Sequence, residues 1–216
     1  MNMLLKSPLR FFSTLKKKSS KVWMHEHISD SYVHKAKLLN YRSRAAFKLI
    51  EIQQRYTILK PGYKVLDLGS SPGSWTQVCV EYVKSPHLSP LILAVDKATM
   101  LKVPGAKFLL GDINNEDIRL EIGEFFNNEP IDVILSDMAH NFEGDKDLDH
   151  MGIAVLNHLV VRMCFNNLKI GGTVLMKTLQ GSLEGDFFVK IMVLKKIIRI
   201  FSCCFRDFIV RFSRNS

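Results

Sequence analysis

The run Val65-Leu66-Asp67-Leu68-Gly69-Ser70-Ser71-Pro72-Gly73-Ser74-Trp75 decides the fold. It passes from an apolar strand through a glycine-bearing turn into the start of a helix. Such a turn at the end of a sheet strand lets a nucleotide-like cofactor lie against bare backbone, with no Cβ in its way. A dinucleotide fingerprint needs three glycines as G-x-G-x-x-G, so that a pyrophosphate can sit on the helix N-terminus. Here the turn holds two, Gly69 and Gly73, spaced G-x-x-x-G, and no Walker-type G-K-[ST] occurs anywhere in the chain. The spacing points to a nucleoside cofactor without a phosphate chain, with S-adenosylmethionine the foremost candidate. It disfavours a nicotinamide-dependent oxidoreductase.

Working outward, apolar runs alternate with helical spacing. Thr76–Lys84 reads as a helix, and Leu91–Val95 as a strand ending in Asp96. Lys107–Leu110 is a strand stopped by Gly111-Asp112, and Asn114–Phe126 is a helix. Ile131–Leu135 is a strand ending Ser136-Asp137. Met151–Leu168 is a helix closed by Gly171-Gly172, and Thr173–Met176 is a strand ending in Lys177. The segments 197–201 and 208–212 also look strand-like. Alternation of this kind describes βαβ units and a parallel sheet covered on both faces. A length of 216 residues, 47% of them hydrophobic, suits a single domain with a sizeable core, expected over residues 26–216.

Asp96, Asp112, Asp137 and Lys177 all fall at the carboxyl ends of expected strands, beside the Gly69–Gly73 turn. That edge is where open α/β sheets bind ligands. A carboxylate at the end of the second strand suits the paired ribose hydroxyls of an adenosyl group. Any single aspartate there could be a strand terminator or a helix cap. Four such groups on one edge are hard to explain that way.

Four blocks in order give the chain a resemblance to the FtsJ-type (RrmJ-like) ribosomal RNA 2′-O-methyltransferases. They are Tyr-Arg-Ser-Arg-Ala-Ala-Phe-Lys-Leu (41–49), Leu-Asp-Leu-Gly-Ser-Ser-Pro-Gly-Ser-Trp (66–75), Val-Ile-Leu-Ser-Asp-Met-Ala (133–139) and Met-Lys-Thr-Leu-Gln-Gly (176–181). Asp147-Leu148-Asp149-His150 looks like the mitochondrial branch. The resemblance implies a Rossmann-like S-adenosylmethionine-dependent methyltransferase fold, with a seven-stranded, mostly parallel sheet and helices on both faces. It implies 2′-O-ribose methylation of large-subunit rRNA, with a uridine as the expected target, and a role in ribosome assembly. Carried over position by position, Gly69, Pro72, Gly73, Trp75, Asp96, Asp112 and Asp137 would meet the cofactor. Asp137 would sit between cofactor and substrate, while Lys48 and Lys177 would act on the ribose.

Those residue types suit the chemistry. A ribose 2′-hydroxyl is a weak nucleophile until its proton leaves, and a lysine near a second lysine can accept that proton or stabilise the alkoxide. The spacing leaves open whether Lys177 is a base or a positioner. Two departures from the family stand out. His140 replaces the proline usual after Ser-Asp-Met-Ala. The family's fourth catalytic residue, a glutamate leading into the last strand, has no counterpart, because no glutamate follows Glu184. Asp207 is the acid that could stand in. The alternative is a catalytically weak or inactive RNA-binding assembly factor.

The net charge of +9 is uneven. Residues 1–25 hold six basic residues and no acid; residues 190–216 hold seven against Asp207 alone, so 26–189 carries the balance, −3. A local patch remains: if Ser43 caps a helix, Arg44, Lys48 and Arg55 form one stripe with Glu51. Lys35, Lys37, Arg42 and Arg44 are expected to hold RNA phosphates. The acid-free, Ser-rich first 25 residues have the composition of a mitochondrial transit peptide, with a disordered basic arm as the alternative. No apolar run reaches the length of a membrane span. The four cysteines lack C-x-x-C spacing, implying a reducing compartment and no zinc. Asp145, Asp147 and Asp149 imitate a calcium loop, but His150 and Leu156 occupy positions where that loop needs glycine and glutamate. No metal is expected, and the partner is large-subunit rRNA or the assembling subunit, met by a monomer in the mitochondrial matrix.

Overall fold

A computed structural model describes residues 31–84, 90–139, 145–177, 197–203 and 207–213, the last two spans as backbone. The elements in chain order are α1 (Ser31–Leu38), α2 (Ala45–Tyr56), β1 (Val65–Leu68), α3 (Ser74–Val83), β2 (Ile92–Asp96) and β3 (Lys107–Leu110). They continue with α4 (Glu116–Phe125), β4 (Ile131–Ser136), α5 (Lys146–Asn167), β5 (Leu168–Lys177), β6 (Ile197–Cys203) and β7 (Asp207–Ser213). The expected targeting segment, His140 and the block after Lys177 lie outside the described residues.

The strands form one sheet in the order β3-β2-β1-β4-β5-β7-β6. The first five are parallel; β7 runs antiparallel to β5, and β6 antiparallel to β7. All four residues of β1 are buried, and side chains alternate between two faces. Leu66 and Leu68 pack with Leu93, Val95, Ile122 and Val160 under α4 and α5, whereas Val65 packs with Leu49, Val78, Val133 and Leu135 under α2 and α3. Covering both faces is why β1, β2 and β4 read as continuous apolar runs. Strand order reverses between β1 and β4, and the crevice at that point opens at their carboxyl ends.

The structure revises several boundaries. Helix α5 begins at Lys146, five residues before the expected start. Gly171-Gly172 does not close that helix. The pair sits inside β5, where the register to β4 shifts, and a Cβ on Gly172 would lie 2.8 Å from the Lys169 carbonyl oxygen and 2.9 Å from that of Asp132. Ser43 is not the cap of α2. Arg44 holds that position without a side-chain cap bond, while the Ser43 hydroxyl accepts from Ala45 N at 3.3 Å and shares a hydrogen bond of 2.6 Å with Ser74. Helix α1 carries no strong apolar periodicity, which is why its sequence did not announce it.

Between α2 and β1 the chain turns on Gln53, which is buried although polar. Its amide donates to the Leu59 carbonyl at 2.8 Å and accepts from Leu59 N at 2.7 Å. One side chain thus satisfies both polar groups of a buried residue that no ladder reaches. Replacing Gln53 with Ala should orphan both and cost about 2–4 kcal/mol of unfolding free energy, measured by urea denaturation. A loss under half a kilocalorie would show that water takes the place of the amide.

Candidate active site

A cleft of about 530 Å³ opens at the carboxyl edge of the sheet, lined among others by Gly69, Ser71, Asp96, Lys97, Asp137 and Met138. The turn after β1 forms one lip and the loop after β2 the other. The Asp96 carboxylate clasps them together: one oxygen accepts from Ser71 N at 2.8 Å, the other from Ala98 N at 2.8 Å. Each oxygen keeps acceptor capacity beyond those bonds.

Asp112 follows β3 at the neighbouring strand end, while Gly111 and Ile113 on either side of it line the cleft. Burial alone would raise its carboxyl, but the hydrogen bond and charge of Lys97, with the bonds from Asn114, hold it below the usual range. Lys97 Nζ lies 2.8 Å from its Oδ2, and Asn114 N donates to Oδ1 at 2.9 Å.

At the far side, Asp137 and Lys177 meet. The lysine ammonium is 2.9 Å from Asp137 Oδ1 and donates to the Asp137 carbonyl at 3.0 Å. Both side chains are mostly covered, at 28% and 20% exposure. Asp207 opens β7 and stands directly opposite Lys177 in the antiparallel ladder. Lys48 is half-buried on α2, in a second recess of about 350 Å³ shared with Tyr32, Arg44, Phe47 and Glu51.

Several expected site residues do other work. The space that a Cβ on Gly69 would need is taken by Met138, at 2.7 Å to its side chain and 2.9 Å to its backbone. A Cβ on Gly73, whose φ is +108°, would lie 2.4 Å from Arg42 Nη1. The two glycines therefore make room for protein atoms; of the pair, Gly69 also lines the cleft. Trp75 turns away from the cleft: its side chain is buried among apolar residues and its indole N–H donates to the Ala45 carbonyl at 2.9 Å. Pro72 is exposed and offers its carbonyl to Arg42 at 2.8 Å. Arg42, expected on RNA, spends its guanidinium on backbone carbonyls. Lys35 lies over the Phe47 ring at 5.0 Å, while Lys37 and Arg44 are exposed on the α1–α2 side.

Asp67 was missed, although an acid inside an apolar strand run is itself a signal. Its side chain points to the α3 face, where Thr76 donates to Oδ2 at 2.6 Å; Oδ1 is buried without a hydrogen-bond partner among the described residues. Burial pushes its carboxyl up to about 7; the Thr76 bond opposes this, and the charges of Asp137 and Asp96 reinforce it. An unfolded aspartate titrates near about 3.9. Between those values the folded chain holds a proton that the unfolded chain has lost. The contribution of Asp67 to stability therefore falls as pH rises from about 4 to about 7 and is level above that. Asp67→Asn should remove this part of the slope in unfolding free energy between pH 4.5 and pH 7. The same slope in both proteins would assign the pH dependence to other groups.

Comparison with known proteins fits this geometry. Residues 41–214 match the FtsJ-like methyltransferase family model. The chain is 42% identical over 170 residues to the ribosomal RNA large subunit methyltransferase E of Bartonella bacilliformis, covering 79% of this chain and 71% of that one. It is 39% identical to the protein of the same name from Neisseria meningitidis, covering 78% and 80%. Among solved structures, a Plasmodium falciparum protein described as a ribosomal RNA methyltransferase superposes with a TM-score of 0.69 at 29% identity, over 81% of this chain and 98% of that one. With the glycine turn, the strand-end acids and the Lys177–Asp137 pair in place, this chain belongs to the FtsJ-like methyltransferase family.

Proposed function

We propose that this chain transfers the methyl group of S-adenosylmethionine to a ribose 2′-hydroxyl of large-subunit rRNA, with a uridine as the target, in free rRNA or in the assembling subunit. The observation that carries this reading is the Lys177–Asp137 ion pair, with Asp137 lining the cleft. The names of the relatives support the rRNA substrate.

The cleft suits the donor. Its volume of about 530 Å³ falls within the usual range for small-molecule sites. Asp96 is held by its two backbone bonds with lone pairs left for paired ribose hydroxyls, and the acids Asp96 and Asp137 in the lining favour a sulfonium cation. S-adenosylmethionine, when bound, supplies an electrophilic methyl group.

The chain's own residues supply orientation and charge. Lys177 has three N–H donors. Two reach Asp137, at its Oδ1 and its carbonyl, which leaves the third for a ribose oxygen. An ammonium so held can stabilise the oxyanion that develops on the ribose as its 2′-proton passes to solvent water. Alignment of this kind can account for about 7–11 kcal/mol of a barrier. Lys48 is the second cation toward the ribose, and Asp207, in register with Lys177, takes the part of the absent glutamate. Lys35, Lys37 and Arg44 hold phosphates. That absence also favours a second reading, a non-catalytic assembly factor that retains cofactor and RNA binding.

The basic, acid-free stretch 1–25 supports import into the mitochondrial matrix, and Asp147–His150 supports the mitochondrial branch. A monomer is the proposed working unit. Import is tested by fusing residues 1–30 to a fluorescent reporter, where a cytosolic signal counts against it.

Methyl transfer from labelled S-adenosylmethionine to large-subunit rRNA, free or in subunits, tests the main reading; binding of both partners without transfer would establish the second. Lys177→Ala should abolish transfer and leave cofactor affinity within about twofold. Lys177→Arg should fail too if the lysine accepts the proton, since arginine cannot give one up near neutral pH, whereas an active Arg variant would make it a positioner. Asp207→Asn should lower turnover while Asp207→Glu keeps or raises it; equal rates in all three would remove Asp207 from the site.

Asp96→Ala should weaken cofactor binding by about 1.5–3 kcal/mol, read by calorimetry. Unchanged affinity in a folded variant would take Asp96 out of the cofactor site.

A further inference from the structure

Arg42 belongs to the basic block ahead of α2, yet its side chain turns inward. Nη1 donates to the Pro72 carbonyl at 2.8 Å and to the Leu101 carbonyl at 2.6 Å, and Nη2 donates to the Lys102 carbonyl at 2.7 Å. Those carbonyls belong to two different loops, the turn after β1 and the loop after β2. The same loops carry Ser71 and Asp96–Ala98, which form the two lips of the cleft. The lips are therefore tied twice: by the Asp96 carboxylate collecting two N–H groups on the cleft side, and by the Arg42 guanidinium collecting three carbonyls behind it.

The chain is arranged to admit this side chain. Gly73 has no Cβ where one would lie 2.4 Å from Nη1. The Arg42 backbone is itself pinned, its N–H donating to Gln77 Oε1 at 3.0 Å, while Gln77 Nε2 donates to the Asn40 carbonyl at 2.9 Å. Three carbonyl oxygens converging on one point repel one another unless a cation sits between them. A planar guanidinium serves two loops at once; an ammonium on a shorter stem lacks that fork.

We propose that Arg42 is a positioning residue for cofactor binding: it sets the separation of the two lips so that Asp96 is presented to the nucleoside, and it touches neither the cofactor nor the RNA. This rests on the reading of the cleft as the S-adenosylmethionine site. It separates Arg42 from its neighbour Arg44, two residues on, which keeps the phosphate-binding role.

The test compares the full chain with Arg42→Ala, Arg42→Lys and Arg44→Ala. S-adenosylmethionine affinity is measured by calorimetry, affinity for a large-subunit rRNA fragment by gel shift, and steady-state kinetics with the donor varied. Both Arg42 variants should bind the cofactor at least tenfold more weakly, with KM for the donor raised, kcat at saturating donor largely kept, and RNA affinity within twofold of the parent. Arg44→Ala should show the reverse, weaker RNA binding and unchanged cofactor affinity. Millimolar ethylguanidinium should restore cofactor binding to Arg42→Ala by refilling the site between the three carbonyls, an effect that a general loss of stability would not show. Parental cofactor affinity in folded Arg42→Ala, or a loss confined to RNA binding, overturns the proposal. So does a loss in Arg42→Ala that ethylguanidinium leaves untouched while Arg42→Lys binds normally. A parent chain that binds no S-adenosylmethionine overturns the reading of the cleft, and the role of Arg42 with it, an outcome distinct from a parent that binds and variants that bind equally well.

Discussion

Everything functional in this molecule follows from the burial of β1 on both faces. With β2 and β4 on either side and helices above and below, β1 has its backbone groups committed to ladders and its side chains to two cores. No ligand can reach it along its length. The first places where backbone and polar side chains become available are the strand ends, and parallel strands bring those ends to a common edge. Asp96, Asp112, Asp137 and Lys177 are gathered there because each is the residue at which, or just beyond which, its own strand stops.

Gathering acids at one edge has an electrostatic cost, which the chain offsets in three ways. Asp137 takes an ammonium from β5, and Asp112 takes one from Lys97 beside it. Asp96 takes two backbone N–H groups instead of a cation. Asp67, buried inside β1 beneath that edge, has the Thr76 hydroxyl as its one hydrogen-bond donor among the described residues, and its carboxyl rises to about 7. Asp96, held by backbone N–H groups and not by a lysine, stands between the lips of the cleft.

The packing of the glycine turn shows how contacts within the chain shape one lip of the cleft. Gly69 lets Met138 cross close above it, and Gly73 lets Arg42 reach three carbonyls. Trp75 and Ser74 dock the start of α3 onto the segment ahead of α2. These bonds join the basic block to the glycine turn, about thirty residues away in the chain.

The sequence by itself determined the alternation of strands and helices, the identity of the turn and the edge on which the polar residues fall. Those depend on local periodicity and on where an apolar run stops, which short stretches record. That Lys177 and Asp137 lie on one edge was legible, because both fall at strand ends; that they pair came from the sheet order, which sets β4 beside β5. Tertiary structure alone decided what fills the space over each glycine, where the Arg42 guanidinium goes and which way Trp75 faces. It decided that Gly171-Gly172 is an irregularity within a strand and not a helix stop. A missing Cβ says that something approaches closely, but not whether it is a ligand or another part of the chain; a basic side chain says that it will find acceptors, but not whether they are phosphates or carbonyls. Those choices are made by residues tens of positions away, and the chain has to fold before they meet.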